Sequence, residues 1–252
     1  MISERERFIK HIKDMASRSY QESRYLFTDF LAAGEISDLM GIPSADIPCG
    51  YSLYGGYDGA ERLMCRFGSA EQFGYEEDYP ITIVHIFPSA PKFSEDLTHR
   101  DYLGAIVNLG IDRRVTGDIL ISGKDAYLIC NEEISGFICE NLSRVRHTLV
   151  KLEIVSSVPD VCLPKPVKEN VLVASERLDA VVAHVYNLSR NSSLELFRSE
   201  KISVNGRCMT DPAIMPHADD MISVRGYGRF RYIGCDHITR KGKLSISLER
   251  YV

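Results

Sequence analysis

The spacing of apolar residues over the first part of the chain predicts helices followed by a strand. Apolar side chains recur at helical spacing over Phe8–Met15 and again over Phe27–Leu31. Gly34 is expected to stop the second helix, and Gly41-Ile42-Pro43 to end the helical region. Apolar and polar residues alternate over Leu63–Phe67, as in a half-buried strand. Residues 1–75 are therefore predicted to form a mixed helical and strand unit.

The next part of the chain alternates strands with helices. The predicted elements are a strand Ile81–Pro88, a helix Thr98–Gly110, strands Asp118–Ser122 and Ala126–Cys130, a helix Glu132–Leu142 and a strand Thr148–Val155. This order predicts a ferredoxin-like split β-α-β domain over residues 76–157. RNA-binding versions of that fold stack bases on aromatic residues of the central strands. Tyr127 is the candidate for such a role, but we interpret it as a partly buried structural residue.

The sequence of the last third of the chain predicts a pair of helices and a small sheet. Residues 158–174 contain three prolines, which favour extended chain and indicate a linker. Leu178–Val185 has helical spacing, and Ser189 is expected to cap a second helix. Asn205-Gly206 predicts a tight hairpin turn, and further strands are expected at Met221–Val224 and Leu244–Leu248. Residues 175–252 complete a chain of α+β class.

Composition and cysteine usage narrow the class of protein. The 252 residues are 44% hydrophobic and 26% charged, as in globular proteins. The N-terminus MISERERFIK has no apolar core, so a signal peptide is not expected. No apolar run approaches the length of a membrane span. The seven cysteines are scattered without a C-x-x-C pair, which argues against zinc and disulfides and favours the cytoplasm.

Charge is distributed unevenly along the chain. From Val171 to the end, 12 Lys and Arg face 9 Asp and Glu, giving +3, and the remainder carries −8 of the total of −5. A basic domain on an acidic body indicates a polyanionic partner. No acidic residue occurs between Ser223 and Ile233, a stretch that holds three arginines.

Two motifs resemble catalytic signatures and are rejected. The run GYSLYGGYDG lacks the Lys-Ser/Thr of a phosphate-binding P-loop and is interpreted as a glycine-rich turn. His99-Arg100-Asp101 resembles the kinase catalytic loop, but Asn108 lies seven positions past the aspartate instead of five, and no D-F-G follows. A helix start with Thr98 as N-cap and Asp101 at the third position explains the motif. His99 and Arg100 would then point outward and are kept as a second possible contact to RNA or a partner.

The C-terminal residues resemble a known RNA-binding module. The pattern of the RNA-binding domain named after small-subunit ribosomal protein S-four is matched by Arg177-Leu178-Asp179, Ser189-Arg190, the run Ile202–Gly206 and the run Asp220–Gly226. Glu200 and Asp219 replace glycines of that pattern, at positions that favour a left-handed backbone. Arginine forks bind phosphate oxygens through two donors, which suits the basic side chains of this unit to RNA.

The whole chain resembles the bacterial YlmH family. The acidic N-terminal unit, the string LTHRDYLGAIVNLGIDRRVTGDILI and the C-terminal ISVRGYGRF carry the resemblance. It implies a cytoplasmic, non-enzymatic, monomeric protein without cofactor or metal, which binds rRNA of the large ribosomal subunit and tRNA or peptidyl-tRNA in ribosome-associated quality control. Some members are also linked to cell division. The expected RNA-binding residues are Arg177, Ser189, Arg190, Arg198, Lys201, Asn205, Arg207, Arg225, Arg229 and Arg231.

Two alternatives from other classes stay open. An RNA-modifying enzyme of the pseudouridine synthase or methyltransferase type is one, because similar domains are appended to such enzymes. The R-L-D at Arg177–Asp179 lies inside the binding module and no G-L follows it, and no glycine-rich Rossmann turn occurs in a suitable context. The other alternative is a cell-division adaptor that docks through its acidic N-terminal unit.

Overall fold

A computed structural model describes residues 3–240 and 242–251, and the chain divides into two compact units between Leu163 and Pro164. The helices are α1 (Glu4–Glu22), α2 (Ala33–Met40), α3 (Ala70–Phe73), α4 (His99–Asn108), α5 (Glu132–Asn141), α6 (Leu178–Val185) and α7 (Arg190–Arg198). The strands are β1 (Leu26–Leu31), β2 (Tyr51–Tyr54), β3 (Leu63–Phe67), β4 (Ile81–Pro88), β5 (Thr116–Ser122), β6 (Asp125–Asn131), β7 (Arg144–Val145), β8 (Thr148–Val155), β9 (Pro166–Val173), β10 (Ile202–Val204), β11 (Arg207–Cys208), β12 (Met221–Val224), β13 (Gly228–Ile238) and β14 (Leu244–Tyr251). Among the described helices, none combines the length and the apolar character that a membrane crossing requires.

The first helix forms where the apolar spacing predicts it. The Glu6 carboxylate accepts a hydrogen bond from the Ser3 backbone N–H (2.8 Å), and the Ser3 hydroxyl accepts one from the Glu6 N–H (3.2 Å). This capping box satisfies N–H groups that a helix start leaves without partners. Ile12 is fully buried in the core that α1 shares with α2 and β3, which confirms the helical pattern.

The second predicted helix is wrong, because the apolar residues around Phe27 belong to β1. This strand pairs with β3, and the register shifts between Phe27 and Phe30, which marks a bulge. The bulge buries both Phe30 and its neighbour Leu31, at 1% and 4% exposure. It therefore breaks strand alternation and produces a spacing that resembles a helix. Gly34 does not stop a helix but lies inside α2, which ends before Gly41 as predicted.

The rest of the first unit has the topology that its element order predicts. The strands lie in the order β5-β6-β4-β8-β7, and each neighbouring pair is antiparallel. Since β6 lies between β4 and β5, this is the split β-α-β arrangement of the ferredoxin-like fold. The short strand β7, which forms a hairpin with β8, was not predicted.

The two faces of this sheet are covered differently. Helices α4 and α5 pack on one face, where Ile106 is 1% exposed. On the other face, Ile129 packs in one cluster with Phe30 from β1. Tyr127 belongs to the same cluster, is 8% exposed and stacks on His85 with ring centroids 4.6 Å apart. The tyrosine is therefore a structural residue, as we interpreted it.

A buried carboxylate joins the end of the glycine-rich run to β5. The prediction of a turn is corrected for the first part of this run, because Tyr51–Tyr54 form β2. Asp118 accepts hydrogen bonds from the Tyr57 hydroxyl (2.9 Å) and from the backbone N–H groups of Glu61 (2.6 Å) and Arg62 (3.3 Å). The Arg62 guanidinium donates to the Thr116 carbonyl (3.0 Å), and burial lowers the pKa of this arginine. These contacts give the end of the glycine-rich run a packing role.

The second unit is larger than predicted, because the supposed linker contributes a strand. The sheet has the strand order β11-β10-β12-β13-β14-β9, and α6 and α7 pack with it in one core around Phe197 and Phe230. Strand β9 pairs with β14 along its whole length, so the linker predicted at residues 158–174 is corrected. Pro166 is compatible with this strand because it is the first residue of an edge strand.

The hairpin turn of the second unit forms as predicted. Asn205 and Gly206 connect β10 to β11 with φ angles of +50° and +80°. Positive φ at both central residues is the requirement of a two-residue type I′ turn. Strand β12 spans the predicted residues, whereas the long strand β13 was not predicted.

Candidate nucleic-acid interface

The helix pair α6–α7 brings two of the predicted arginines to the same end of the second unit. The buried Ser193 hydroxyl of α7 donates a 2.8 Å hydrogen bond to the Asp179 carbonyl in the first turn of α6. This bond holds the first turns of the two helices together. Arg190 lies three residues before Ser193 on the same helix side, and Arg177 directly precedes α6. The two arginines therefore lie at the starts of two helices that this bond joins.

Arg177 forms a bidentate ion pair with a neighbouring carboxylate. Its Nε and Nη2 atoms donate to the two carboxylate oxygens of Asp179, at 3.0 and 3.1 Å. These hydrogen bonds raise the pKa of the arginine. Asp179 is only 4% exposed, so the arginine neutralises a buried charge. Arg177 thus shapes the start of α6, and it has less capacity for RNA than the resemblance implies.

Arg190 is free to meet an anion. It is exposed as the first residue of α7, and no ion pair is formed by it within residues 3–240 and 242–251. Ser189 serves as the N-cap, since its hydroxyl accepts the Ser192 N–H at 3.1 Å. The first turn of a helix presents backbone N–H groups and the positive end of its dipole. A guanidinium at that position can fork a phosphate group that the helix start also attracts.

A second group of basic residues surrounds the end of α7. The Lys201 carbonyl accepts the Arg225 backbone N–H at 2.8 Å, which places these two residues side by side. Arg198 forms an exposed ion pair with Glu195 at 3.6 Å. Arg207 lies on β11, which is separated from β12 by β10. This end of the sheet is basic, but part of its charge is already compensated.

The two glycine replacements adopt the backbone that the glycines would. Glu200 has φ +53° and Asp219 has φ +69°, both in the left-handed region. Glu200 is also exposed next to Lys201, so it adds a negative charge to this end of the sheet. The backbone geometry that the resemblance predicts at these two turns is therefore retained, and Glu200 makes this end of the sheet less positive.

Two further arginines lie away from the helices. Arg229 and Arg231 alternate with the core residue Phe230 along β13 and so share the face of the sheet that is opposite to the core. Arg229 lies over the Tyr251 ring at 4.9 Å, and Arg231 donates to the Tyr251 hydroxyl at 3.0 Å. The predicted residues thus lie in three separate parts of the second unit: the helix starts, the end of α7 with the adjoining strands, and the outer face of β13.

Asn205 is an exposed turn residue whose side chain forms hydrogen bonds to the start of β12. Its amide nitrogen donates to Asp220 at 2.7 Å, and its amide oxygen accepts the Met221 N–H at 2.8 Å. Both polar atoms connect the β10–β11 turn to the start of β12. We therefore correct its assignment from an RNA contact to a structural residue.

Replacing Asn205 with alanine is expected to destabilise the second unit by about 3–4 kcal/mol. The change removes two hydrogen bonds of about 1 kcal/mol each and adds about 1–2 kcal/mol because alanine disfavours a left-handed backbone. Asn205→Gly is the matched control, since it loses the same bonds without the backbone term. Denaturant unfolding of both variants measures the difference, and RNA affinity below the transition should stay unchanged. A selective loss of RNA affinity in both variants would restore the role of Asn205 as an RNA contact.

The predicted second contact lies at the start of α4 in the first unit. The Asp101 carboxylate accepts hydrogen bonds from the Thr98 backbone N–H (2.8 Å) and hydroxyl (2.7 Å), which confirms the expected helix start. His99 is exposed, and desolvation and the nearby Arg113 lower the pKa of its imidazole. Arg100 is exposed and lines a cleft with Arg144 and Arg146. These last two were not predicted, and the sequence signal that could have indicated them is the basic run SRVRH after α5.

Comparisons with known proteins extend over both units. Residues 75–158, which contain β4 to β8, match a family model described as "Putative RNA-binding domain in YlmH". The "Ribosome-associated protein quality control protein P2" of Bacillus subtilis (strain 168) is 30% identical over 233 residues, which cover 91% of this chain and 89% of that protein. A solved structure, "Cell division protein ylmH from Streptococcus pneumoniae", has a TM-score of 0.47 and 21% sequence identity, and covers 62% of this chain and 93% of its own.

Proposed function

The chain belongs to the bacterial YlmH family of RNA-binding proteins, and from this membership we propose that it binds RNA of the large ribosomal subunit in ribosome-associated quality control. The Bacillus relative is named for ribosome-associated protein quality control. In this proposal the protein acts in the cytoplasm, without catalysis, and contacts peptidyl-tRNA together with rRNA.

One observation carries the proposal. Arg190 is exposed at the first turn of α7, which a hydrogen bond joins to the first turn of α6, and no carboxylate within the described residues neutralises it. A free guanidinium next to a helix start is suited to a phosphate group. RNA supplies phosphates in a regular array, so the surface fits a polyanion better than a single small ligand.

The buried state of Asp179 favours binding over RNA modification. A pseudouridine synthase needs the aspartate of its R-L-D loop in contact with the substrate base. Here that aspartate is 4% exposed and holds Arg177 through two hydrogen bonds. Its carboxylate therefore has a structural task, which supports a non-enzymatic role for this module.

We expect the full chain to co-sediment with large ribosomal subunits in a salt-sensitive manner. Each phosphate contact contributes about 0.7–0.9 to the slope of log affinity against log salt. A titration between low and physiological salt measures this slope. Subunits with and without bound peptidyl-tRNA separate the rRNA contribution from the tRNA contribution, and tighter binding to the loaded subunits is expected. Binding that does not respond to salt would contradict an RNA-phosphate interface.

A further inference from the structure

We propose that the cleft between α4 and the α5–β7 turn is a second RNA site, which binds phosphates of the RNA backbone. The cleft has a volume of about 500 Å³, and three arginines line it: Arg100 from α4, and Arg144 and Arg146 from the β7 region. Gly104 and Asn108 of α4 also line it. The inference deepens the proposed function, since it assigns an RNA contact to the first unit.

The charges in the cleft leave two guanidinium groups available. Arg146 pairs with Asp101 at 3.6 Å, while the same carboxylate serves the start of α4 through Thr98. Arg100 and Arg144 are exposed and form no ion pair with any residue in the described part of the chain. Three arginines against one aspartate give the lining a net charge of +2. A phosphate diester is therefore attracted to the cleft, since Asp101 is the one acidic residue among the described residues that line it.

The chemistry of the lining favours the RNA backbone over bases. Among the described residues that line the cleft, none is aromatic, so a base would find no ring on which to stack. Arginines and the Asn108 amide instead offer donors to phosphate and ribose oxygens. Contacts of this kind position RNA and are independent of its sequence.

The usual base-stacking surface of this fold is closed in this chain. Ferredoxin-like RNA-binding domains stack bases on aromatic residues of the two central strands, which correspond here to β4 and β6. Tyr127 on β6 is buried and covered by the His85 ring. Two acidic residues flank that ring, because the Glu153 and Asp125 carboxylates lie 3.0 and 3.4 Å from the His85 nitrogens. The family model that matches residues 75–158 is described as RNA-binding. Because the sheet face is closed, we place the RNA contact of this domain on its helical side.

Two helical glycines provide a matched test. Gly104 lies in α4 and lines the cleft, whereas Gly136 lies in α5 and does not. At each position an added Cβ would meet no atom within 4 Å, so both accept a side chain without steric conflict. Gly104→Glu and Gly136→Glu therefore change the same residue type and the same net charge, but only the first places a carboxylate in the cleft.

The test measures the affinity of the full-length variants for a fluorescent RNA hairpin over a series of salt concentrations. Gly104→Glu is expected to weaken binding about 5- to 10-fold and to lower the salt slope by about one phosphate contact, roughly 0.7–0.9. The RNA affinity of Gly136→Glu should remain within about twofold of the wild-type affinity, because salt screens an exposed charge that lies outside the cleft. Gly104→Ala should bind like the wild type, and thermal unfolding confirms that each variant is folded.

The outcomes separate this inference from the proposed function. Equal affinities of the two glutamate variants would overturn the cleft site. The same holds if Gly104→Glu leaves the RNA hairpin unaffected and weakens only the binding of a polyglutamate probe, since the occupant would then be an acidic protein segment. If Arg190→Glu leaves ribosomal binding intact while Gly104→Glu still weakens the hairpin complex, the proposed interface fails and the cleft stands.

Discussion

Replacing Arg190 with glutamate is expected to lower the affinity of the chain for large ribosomal subunits by about 10- to 100-fold. A hydrogen bond to a charged group contributes about 1.5–3 kcal/mol, and each 1.4 kcal/mol is a factor of ten. The replacement also puts an anion at a surface where phosphate is expected. Because Arg190 has no ion pair to lose within the described residues, the fold should tolerate the change. Co-sedimentation at several salt concentrations measures the affinity and the slope.

Lys243→Glu is the control for overall charge. Lys243 is exposed in the same unit near the turn between β13 and β14, and its replacement alters the net charge by the same amount. We expect it to shift the affinity far less than Arg190→Glu. If the two variants lose affinity equally, long-range charge and not the α7 surface controls binding. Arg177 is unsuited to this test, since its loss would leave Asp179 buried without a partner.

Elements with regular alternation and clear caps could be predicted from the sequence. Strand β4 and helix α6 begin and end where the apolar pattern indicates. Helix α4 begins after Thr98, whose backbone N–H bonds to Asp101 as the motif suggests. In these cases the neighbouring residues contain the determining information, because helix spacing, caps and tight turns are local properties.

Elements that depend on distant partners could not be predicted. The bulge in β1 exists only because β3 pairs with it, and it turns the spacing around Phe30 into one that resembles a helix. Strand β9 contains Pro166 and alternates weakly, so it becomes a strand only by pairing with β14, about eighty residues away in sequence. Pairing over such distances leaves no local signal in the strand itself.

At the candidate interface, too, the residue types could be predicted from the sequence, whereas their contacts could not. Sequence patterns identified basic residues of the C-terminal module but not the partners of each one. Arg177 and Arg190 are equivalent as motif positions, yet the first is held by Asp179 and the second is free of ion pairs in the described part of the chain. The cleft around Arg144 depends on how α4 meets the α5–β7 turn, which is a tertiary property.

Replacing Asp118 with alanine is expected to destabilise the first unit by about 3–5 kcal/mol. The change removes the acceptor of the Tyr57 hydroxyl and of two backbone N–H groups, those of Glu61 and Arg62. Loss of the acceptor costs about 1–3 kcal/mol for the buried Tyr57 hydroxyl and about 1 kcal/mol for each of the two partly buried N–H groups. For a unit of this size, 1 kcal/mol corresponds to about 2–4 °C, so Tm should fall by roughly 10 °C. Thermal unfolding followed by calorimetry measures the loss.

Asp112→Ala is the matched control, because it removes a carboxylate that lies in the same part of the chain but is exposed. Asp112 pairs with Arg114 at 2.9 Å, and both side chains are more than half exposed, so water replaces the lost contacts. We expect a much smaller change in Tm for this variant. Similar losses in both would mean that the glycine-rich turn does not depend on Asp118. A large loss for Asp118→Ala alone would show that one buried carboxylate fixes this turn against the sheet that carries α4 and its cleft.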